Sequence, residues 1–134
     1  MTNAIRRKID IRSEQGQSVT EFALALPILA LLLFAVIQFG IAFNHYVTLT
    51  DATRAGARKA AVGRQLADPV GACQTAIRSS ATNLTASQLT TSCVSTWQPG
   101  ADVTVTATYP YQISLLGLVV KSGRLTSTTT ERVE

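Results

Sequence analysis

Few side chains in this sequence are of the types that carry out catalysis. The chain has one histidine, His45, which argues against a histidine metal site and against a Ser–His–Asp triad. Its two cysteines, Cys73 and Cys93, are too few for a four-cysteine zinc site. Phosphate-loop, dinucleotide-binding, zinc-protease and nucleophile-elbow motifs do not occur in the sequence. We therefore expect a protein that is not an enzyme and that uses no metal, no cofactor and no small-molecule substrate.

One carboxylate, Glu21, stands at the edge of a long apolar run and is the only charged residue between positions 17 and 50. A carboxylate carried to the centre of a membrane helix costs about 2.5–3.5 kcal/mol. Glu21 therefore either marks the end of a membrane segment or has a cationic partner. Its position alone does not choose between these two interpretations.

The composition favours a small membrane-anchored protein. The 134 residues are 46% hydrophobic and 15% charged, whereas an average globular domain has about 25% charged residues. The net charge of +4 comes from basic clusters in residues 1–16 and 51–64, which flank the apolar run. This pattern is typical of a membrane interface, and it argues against a disordered or nucleic-acid-binding tail. We expect a lipid bilayer, and no nucleic acid, among the partners.

The apolar run, residues 22–43, predicts a transmembrane helix. Its sequence is FALALPILALLLFAVIQFGIAF, and a helix of this length measures roughly 33 Å, enough for a hydrocarbon core of about 30 Å. A secretory signal peptide would have an apolar region of about 7–15 residues followed by a cleavage site with small residues. This run is longer, and the residues after it continue with helical character. Pro27 lies inside the run and predicts a kink or a loosened turn near residues 23–27.

The residues just before the apolar run have a recognisable spacing: Gly16-Gln17-Ser18-Val19-Thr20-Glu21-Phe22, after a short basic leader. This arrangement resembles the processing site of type IV prepilins. Together with TDATRAGARKAAV, TVTATYPYQI and the terminal LTSTTTERVE, it is similar to the TadE-like family, the minor pilins or pseudopilins of the Tad (tight adherence) pilus. The resemblance extends over residues 13–134.

The resemblance implies that a prepilin peptidase cuts between Gly16 and Gln17. Gln17 would then carry a free α-amino group about 6 Å of helical rise from Glu21, and could neutralise this carboxylate in the same subunit or in a neighbour. Glu21 and Phe22 would set the register of subunits during assembly. The other implied partners are further Tad pilins and inner-membrane platform proteins. The alternative is an uncleaved bitopic inner-membrane assembly or scaffold factor of the same machinery.

The expected organisation has three parts: a cytoplasmic basic leader at 1–16, a helix at 17–65 containing the membrane segment, and a small extracytoplasmic α+β domain at 66–134. The upper part of the helix carries a stripe of small residues that would let another helix approach closely. Arginines in the row beside the stripe fit a solvated basic face, or a contact with lipid headgroups or a neighbouring subunit. The stripe is Ala52, Gly56 and Ala60, and the arginines are Arg54 and Arg58.

Local signals predict the elements of the α+β domain. Asp68-Pro69 predicts the start of a second helix whose apolar face holds Val70, Cys73, Ile77 and either Ala81 or Leu84, and Thr85 with Gln88 predicts a capping box. Strict alternation at 103–109 predicts a half-buried strand after a turn at 98–101. Shorter strand candidates are 91–97 and 125–133. The run 113–120 could be a short helix, a loop packed on the sheet or a membrane-touching patch. The expected fold is a long N-terminal helix packed on a small antiparallel sheet, similar to a pilin.

The two cysteines of an otherwise cysteine-free exported domain predict a Cys73–Cys93 disulfide, which would stabilise the domain by about 3 kcal/mol. Basic residues are equally numerous on the two sides of the membrane segment, so charge does not fix its orientation. The disulfide needs an oxidising compartment and the leader resembles a prepilin leader. We therefore expect a single-pass protein of the bacterial inner membrane, with its N-terminus in the cytoplasm and its C-terminal domain periplasmic or extracellular.

Overall fold

The computed structural model describes residues 14–115 and 117–134. It confirms the α+β class, with a long apolar N-terminal helix and a three-stranded antiparallel sheet. Most of the expected leader, residues 1–13, lies outside the described residues. The elements are α1 (Glu14–Ala61), α2 (Pro69–Ser80), a 3₁₀ turn (Ala86–Gln88), β1 (Thr90–Val94), β2 (Asp102–Leu115) and β3 (Leu118–Arg132).

The chain divides into two compact units, residues 1–36 and 37–134. The described part of the first unit is the N-terminal half of α1, which contains Pro27. The second unit contains the rest of α1 and all the other elements. α1 ends at Ala61, four residues before the expected end at 65. After the helix, the Gly63 N–H donates a hydrogen bond to the Ala60 carbonyl, and the Leu66 N–H donates to the Gly63 carbonyl. Both bonds join residues three apart, whereas the bonds of an α-helix join residues four apart.

Helix α2 begins as the sequence predicts. The Asp68 carboxylate accepts a hydrogen bond of 2.8 Å from the Gly71 N–H, and Pro69 occupies the first turn, where its missing N–H costs nothing. Cys73, Ile77, Ala81 and Leu84 are buried, and Val70 is half-buried. The predicted apolar face is therefore confirmed for the residues within α2, whereas Ala81 and Leu84 lie beyond its end at Ser80.

The predicted capping box at Thr85 is wrong. The Thr85 side chain makes no capping hydrogen bond, because the element that follows is a single 3₁₀ turn. In this turn the Gln88 N–H donates to the Thr85 carbonyl at 3.0 Å, so the group that a capping side chain would satisfy already has a partner. The Thr85 N–H instead donates to the Tyr109 hydroxyl at 3.3 Å.

Strand β2 is the centre of the sheet, with β1 and β3 paired antiparallel on its two sides. The predicted alternation at 103–109 is confirmed, since the buried side chains are Val103, Val105, Ala107 and Tyr109. The threonines between them face away, and two of them meet β3 threonines across the sheet: Thr104 with Thr130 at 3.5 Å and Thr106 with Thr128 at 3.2 Å.

The outer strands differ in length from their predictions. β1 ends at Val94 instead of 97, because Trp97 turns the chain with a φ of +56° and its N–H bonds to the Ser95 hydroxyl. β3 begins at Leu118 instead of 125. The predicted turn at 98–101 is confirmed by a 3.0 Å hydrogen bond from the Ala101 N–H to the Gln98 carbonyl.

Residues 113–120 form the end of the β2–β3 hairpin, which is neither the short helix nor the loop that the sequence left open. β2 continues to Leu115 and β3 starts at Leu118, with a register shift between Ile113 and Ser114. Gly117 lies between the strands with a φ of +83°, a conformation that a hairpin turn requires and that glycine adopts without strain.

The core of the second unit lies between α1, α2 and the inner face of the sheet. A disulfide joins Cys73 of α2 to Cys93 of β1, with 6.6 Å between their Cα atoms, which confirms the predicted bridge. Both cysteines are buried. The other fully enclosed core side chains include Leu49, Ile77, Val103, Val105 and Val133.

Candidate processing and assembly site

The residues of the expected processing site lie in the first turns of α1. The Gln17 side-chain Nε2 donates a hydrogen bond of 3.0 Å to Oε1 of Glu21, one turn further along the helix. The amide is neutral, so this hydrogen bond positions the carboxylate without cancelling its charge. Phe22, the next residue, is exposed. The second carboxylate oxygen of Glu21 can accept a further donor.

The peptide bond between Gly16 and Gln17 lies inside the helix, because α1 begins at Glu14. The Thr20 hydroxyl donates to the Gly16 carbonyl oxygen at 2.9 Å. A peptidase that acts on an extended backbone must therefore first open the first turn of α1 and break this contact.

The first unit presents an apolar surface on every side of the helix. Consecutive positions in an α-helix point about 100° apart, and Leu31, Leu32, Leu33 and Phe34 are all exposed large apolar side chains. A helix that is apolar all round needs lipid or other helices to cover it. α1 is long and apolar enough to cross a membrane. Pro27 lies inside α1, and a kink there stays a prediction.

The stripe of small residues on α1 is buried within the second unit. A Cβ atom built on Gly56 would overlap Cγ1 of Ile77 and lie 3.4 Å from the Cys73 carbonyl oxygen, so α2 packs directly on this glycine. Ala52 and Ala60 are fully buried as well. The stripe is therefore buried, and at Gly56 it packs against a helix of its own chain.

Comparison with known proteins gives one match. Residues 16–58 match the family model described as TadE-like protein. These residues form a TadE-like segment. The match confirms the resemblance seen in the sequence over these residues. No curated protein and no solved structure matches the chain.

The TadE-like segment contains Gly16, Gln17 and Glu21, the apolar part of α1 and the small residues at 52 and 56. Residues 59–134 lie outside the match. The α2 helix that packs on Gly56 thus belongs to the part of the chain beyond the TadE-like segment. The resemblance of that part to the family stays a prediction from the motifs.

The arginines of the TadE-like segment remain exposed beside the buried stripe. Arg54 lies 3.8 Å from the carboxylate of Asp51, and both side chains are largely exposed. An exposed pair of this kind contributes little to stability. Among residues 14–115 and 117–134, no group of three His, Cys, Asp or Glu side chains is placed to hold a metal ion.

His45 of the TadE-like segment contacts the sheet. Its ring packs edge-on against that of Tyr109 with 5.4 Å between the centroids. Nothing local in the sequence indicates the aromatic partner of His45, which lies 64 positions away. The Tyr109 hydroxyl in turn accepts the Thr85 N–H, so the contact links α1, β2 and the 3₁₀ turn.

A groove that the sequence analysis missed lies next to this contact, between α1 and the β2–β3 hairpin. Its volume is about 380 Å³, and we call it the hairpin groove. Lys121 and Arg124 follow the apolar run at 118–120 in the sequence, but only the strand register places them beside α1. The groove is lined by Phe39, Phe43, Tyr111, Ile113, Lys121 and Arg124, among others.

Proposed function

We propose that this chain is a minor pilin or pseudopilin of a Tad-type pilus, cut after Gly16 by a prepilin peptidase and contributing to pilus assembly and adhesion. The observation that carries the proposal is the placement of Gly16, Gln17 and Glu21 in the first turns of an apolar helix within a TadE-like segment. The role is structural and not enzymatic.

Cleavage would give Glu21 a cationic partner in the new α-amino group of Gln17. The hydrogen bond from the Gln17 amide holds one carboxylate oxygen, which leaves the other for an ammonium group. The new α-amino group of Gln17 is one turn away on the same helix, and that of a neighbouring subunit could reach Glu21 if the two helices are shifted along their axes. A paired carboxylate in lipid costs much less free energy than an isolated one. Pairing between subunits would therefore fix their register.

The proposed location is the bacterial inner membrane, with α1 spanning it, the N-terminus in the cytoplasm and the C-terminal domain periplasmic or extracellular. The disulfide supports this orientation, because disulfides persist in oxidising compartments. The proposed partners are the prepilin peptidase, other Tad pilins, inner-membrane platform proteins and lipid, with no nucleic acid and no small-molecule substrate.

One observation favours the alternative of an uncleaved bitopic assembly or scaffold factor. α1 continues through the Gly16–Gln17 bond to Glu14, and the Thr20 hydroxyl holds the Gly16 carbonyl. A chain whose first turn stays closed would keep its leader. It would remain in the membrane and bind partners through its C-terminal domain.

The deciding experiment is the intact mass and N-terminal sequence of the protein purified from its native membranes. A chain that begins at Gln17 supports the pilin proposal, and a chain that retains residues 1–16 supports the resident factor. A chain that begins beyond residue 43 contradicts both, since the apolar run would then be a signal peptide. Gly16→Leu should block the cut. Gly40→Ala is the matched control, because a Cβ atom there meets no other atom within 4 Å.

A further inference from the structure

The end of the β2–β3 hairpin is apolar on both faces. We call residues 113–115 and 117–120 the hairpin tip. Leu118, Val119 and Val120 are 75%, 59% and 63% exposed. Successive side chains of a strand point to opposite faces, so three consecutive exposed apolar residues leave neither face of the tip suited to water. Elsewhere in the same hairpin the outer face carries threonines.

The hairpin runs alongside α1 toward its apolar part. Tyr109 packs on His45, whereas Tyr111 and Ile113 line the hairpin groove with Phe39 and Phe43. The α1 residues of the groove thus include positions on the N-terminal side of His45, toward the apolar run. Phe39 and Phe43 belong to the predicted membrane segment, so the groove that Ile113 lines reaches the end of that segment.

Two cations stand directly behind the apolar tip. Lys121 follows Val120 in the sequence, and both Lys121 and Arg124 line the hairpin groove, which has no acidic side chain among its lining residues. This arrangement is complementary to a lipid leaflet. The apolar residues of the tip would meet the acyl chains, and the two cations would lie at the level of the phosphates. Basic side chains near a membrane surface attract anionic lipids.

We infer that the hairpin tip is a second membrane contact of this protein, which enters the headgroup region beside α1 while Lys121 and Arg124 bind the phosphates of anionic phospholipids. The inference rests on the membrane anchoring in the proposed function. It does not depend on cleavage after Gly16 or on assembly into a pilus.

Backbone hydrogen bonding limits the depth of this contact. Among the residues that the structure describes, β1 pairs with β2 no further than Thr108, and no other strand lies on the outer edge of β2 from Tyr109 to Leu115. Unpaired backbone N–H and C=O groups are not tolerated in lipid-exposed positions of the hydrocarbon core. The tip therefore lies at the boundary between headgroups and acyl chains and does not span.

The test places a fluorescent probe at the tip of the full-length chain. Trp97 is the only tryptophan, so Leu118→Trp in a Trp97→Phe background reports on the tip alone. The matched control is Thr130→Trp in the same background, an exposed position on the same strand at its other end. Both proteins are reconstituted into phosphatidylcholine vesicles with and without phosphatidylglycerol, and flotation first establishes that they are membrane-bound.

We expect the tryptophan at the tip to have blue-shifted emission. Lipids brominated near the headgroup should quench roughly half or more of this emission, and acrylamide should quench little of it. The control should show the reverse. Lys121→Gln with Arg124→Gln should abolish the increase in bromolipid quenching that phosphatidylglycerol produces. Arg64→Gln with Arg78→Gln, which removes the same charge from exposed positions elsewhere, should leave that increase unchanged.

Three results would overturn the inference. A tip tryptophan that behaves like the control in floating vesicles removes the hairpin contact and leaves the membrane anchoring intact. If bromolipid and acrylamide both fail to quench the tip tryptophan, and this protection increases with the number of protein chains per vesicle, a second copy of the chain covers the tip. A chain that does not float removes the anchoring itself, and the hairpin contact with it.

Discussion

The hydroxyl groups of Thr53 on α1 and Ser127 on β3 lie 2.9 Å apart in the core, and they join two elements separated by 74 positions. The Thr53 hydroxyl also lies 3.2 Å from the Leu49 carbonyl and 2.8 Å from the Thr50 carbonyl. A hydroxyl has only one proton to donate. When Thr53 donates to its own helix, Ser127 must therefore be the donor to Thr53.

Thr53→Val should destabilise the protein, because it leaves the buried Ser127 hydroxyl without its partner. A buried polar group left unpaired costs about 1–3 kcal/mol. The measurement is thermal unfolding in detergent. The double variant Thr53→Val with Ser127→Ala should recover part of the loss, since both polar groups are then absent. Equal stability of Thr53→Val and the wild type would mean that the hydroxyl pair contributes nothing.

Gly56→Ala should lower the melting temperature, because its Cβ would overlap Cγ1 of Ile77. Overpacking of a core typically costs about 1–3 kcal/mol. Gly40→Ala is the control on the same helix, since its Cβ meets no atom within 4 Å and alanine favours helix. If both variants melt alike, the close contact between α1 and α2 is not a determinant of stability.

Removal of the disulfide should destabilise the C-terminal domain by about 2–4 kcal/mol, chiefly because the unfolded chain gains freedom. Cys73→Ala with Cys93→Ala is compared with the wild type by denaturant unfolding, with and without a reducing agent. The reducing agent should lower the stability of the wild type to that of the double variant and leave the variant unchanged. An effect of the reducing agent on the variant would show that it acts elsewhere.

Glu21→Ala should leave processing largely intact and abolish incorporation into pili, because it removes the carboxylate proposed to set subunit register. Glu21→Gln separates charge from hydrogen bonding, since its carbonyl oxygen can still accept from the Gln17 amide. We expect both variants to fail in assembly, as judged by intact mass and by electron microscopy of pili. Normal piliation of either variant contradicts a role for the charge.

Several elements could be predicted because their signals are local. The Asp68-Pro69 pair positions the start of α2 through contacts within four residues. The alternation from Val103 to Tyr109 directs one face of β2 to the core whatever the order of the strands. The Gly16 to Glu21 spacing and the apolar run likewise need no partner to be recognised, and the match over residues 16–58 includes both.

Other features depended on packing between distant residues. The partner of the small stripe at Gly56 is α2, which a stripe of small residues alone does not identify. Thr85 fits a capping box by residue type, but the chain makes a 3₁₀ turn there and its N–H bonds to Tyr109.

The sequence by itself determined the apolar helix, the start of α2, the phase of β2 and the pairing of the only two cysteines. Each of these follows from propensity, period or the number of candidates. The tertiary structure decided how far β3 extends and which side chains its register places next to α1, including Lys121, Arg124 and Ser127. Strand register depends on hydrogen bonds and packing between segments that are far apart in the chain. The residue pattern of one segment therefore does not predict it.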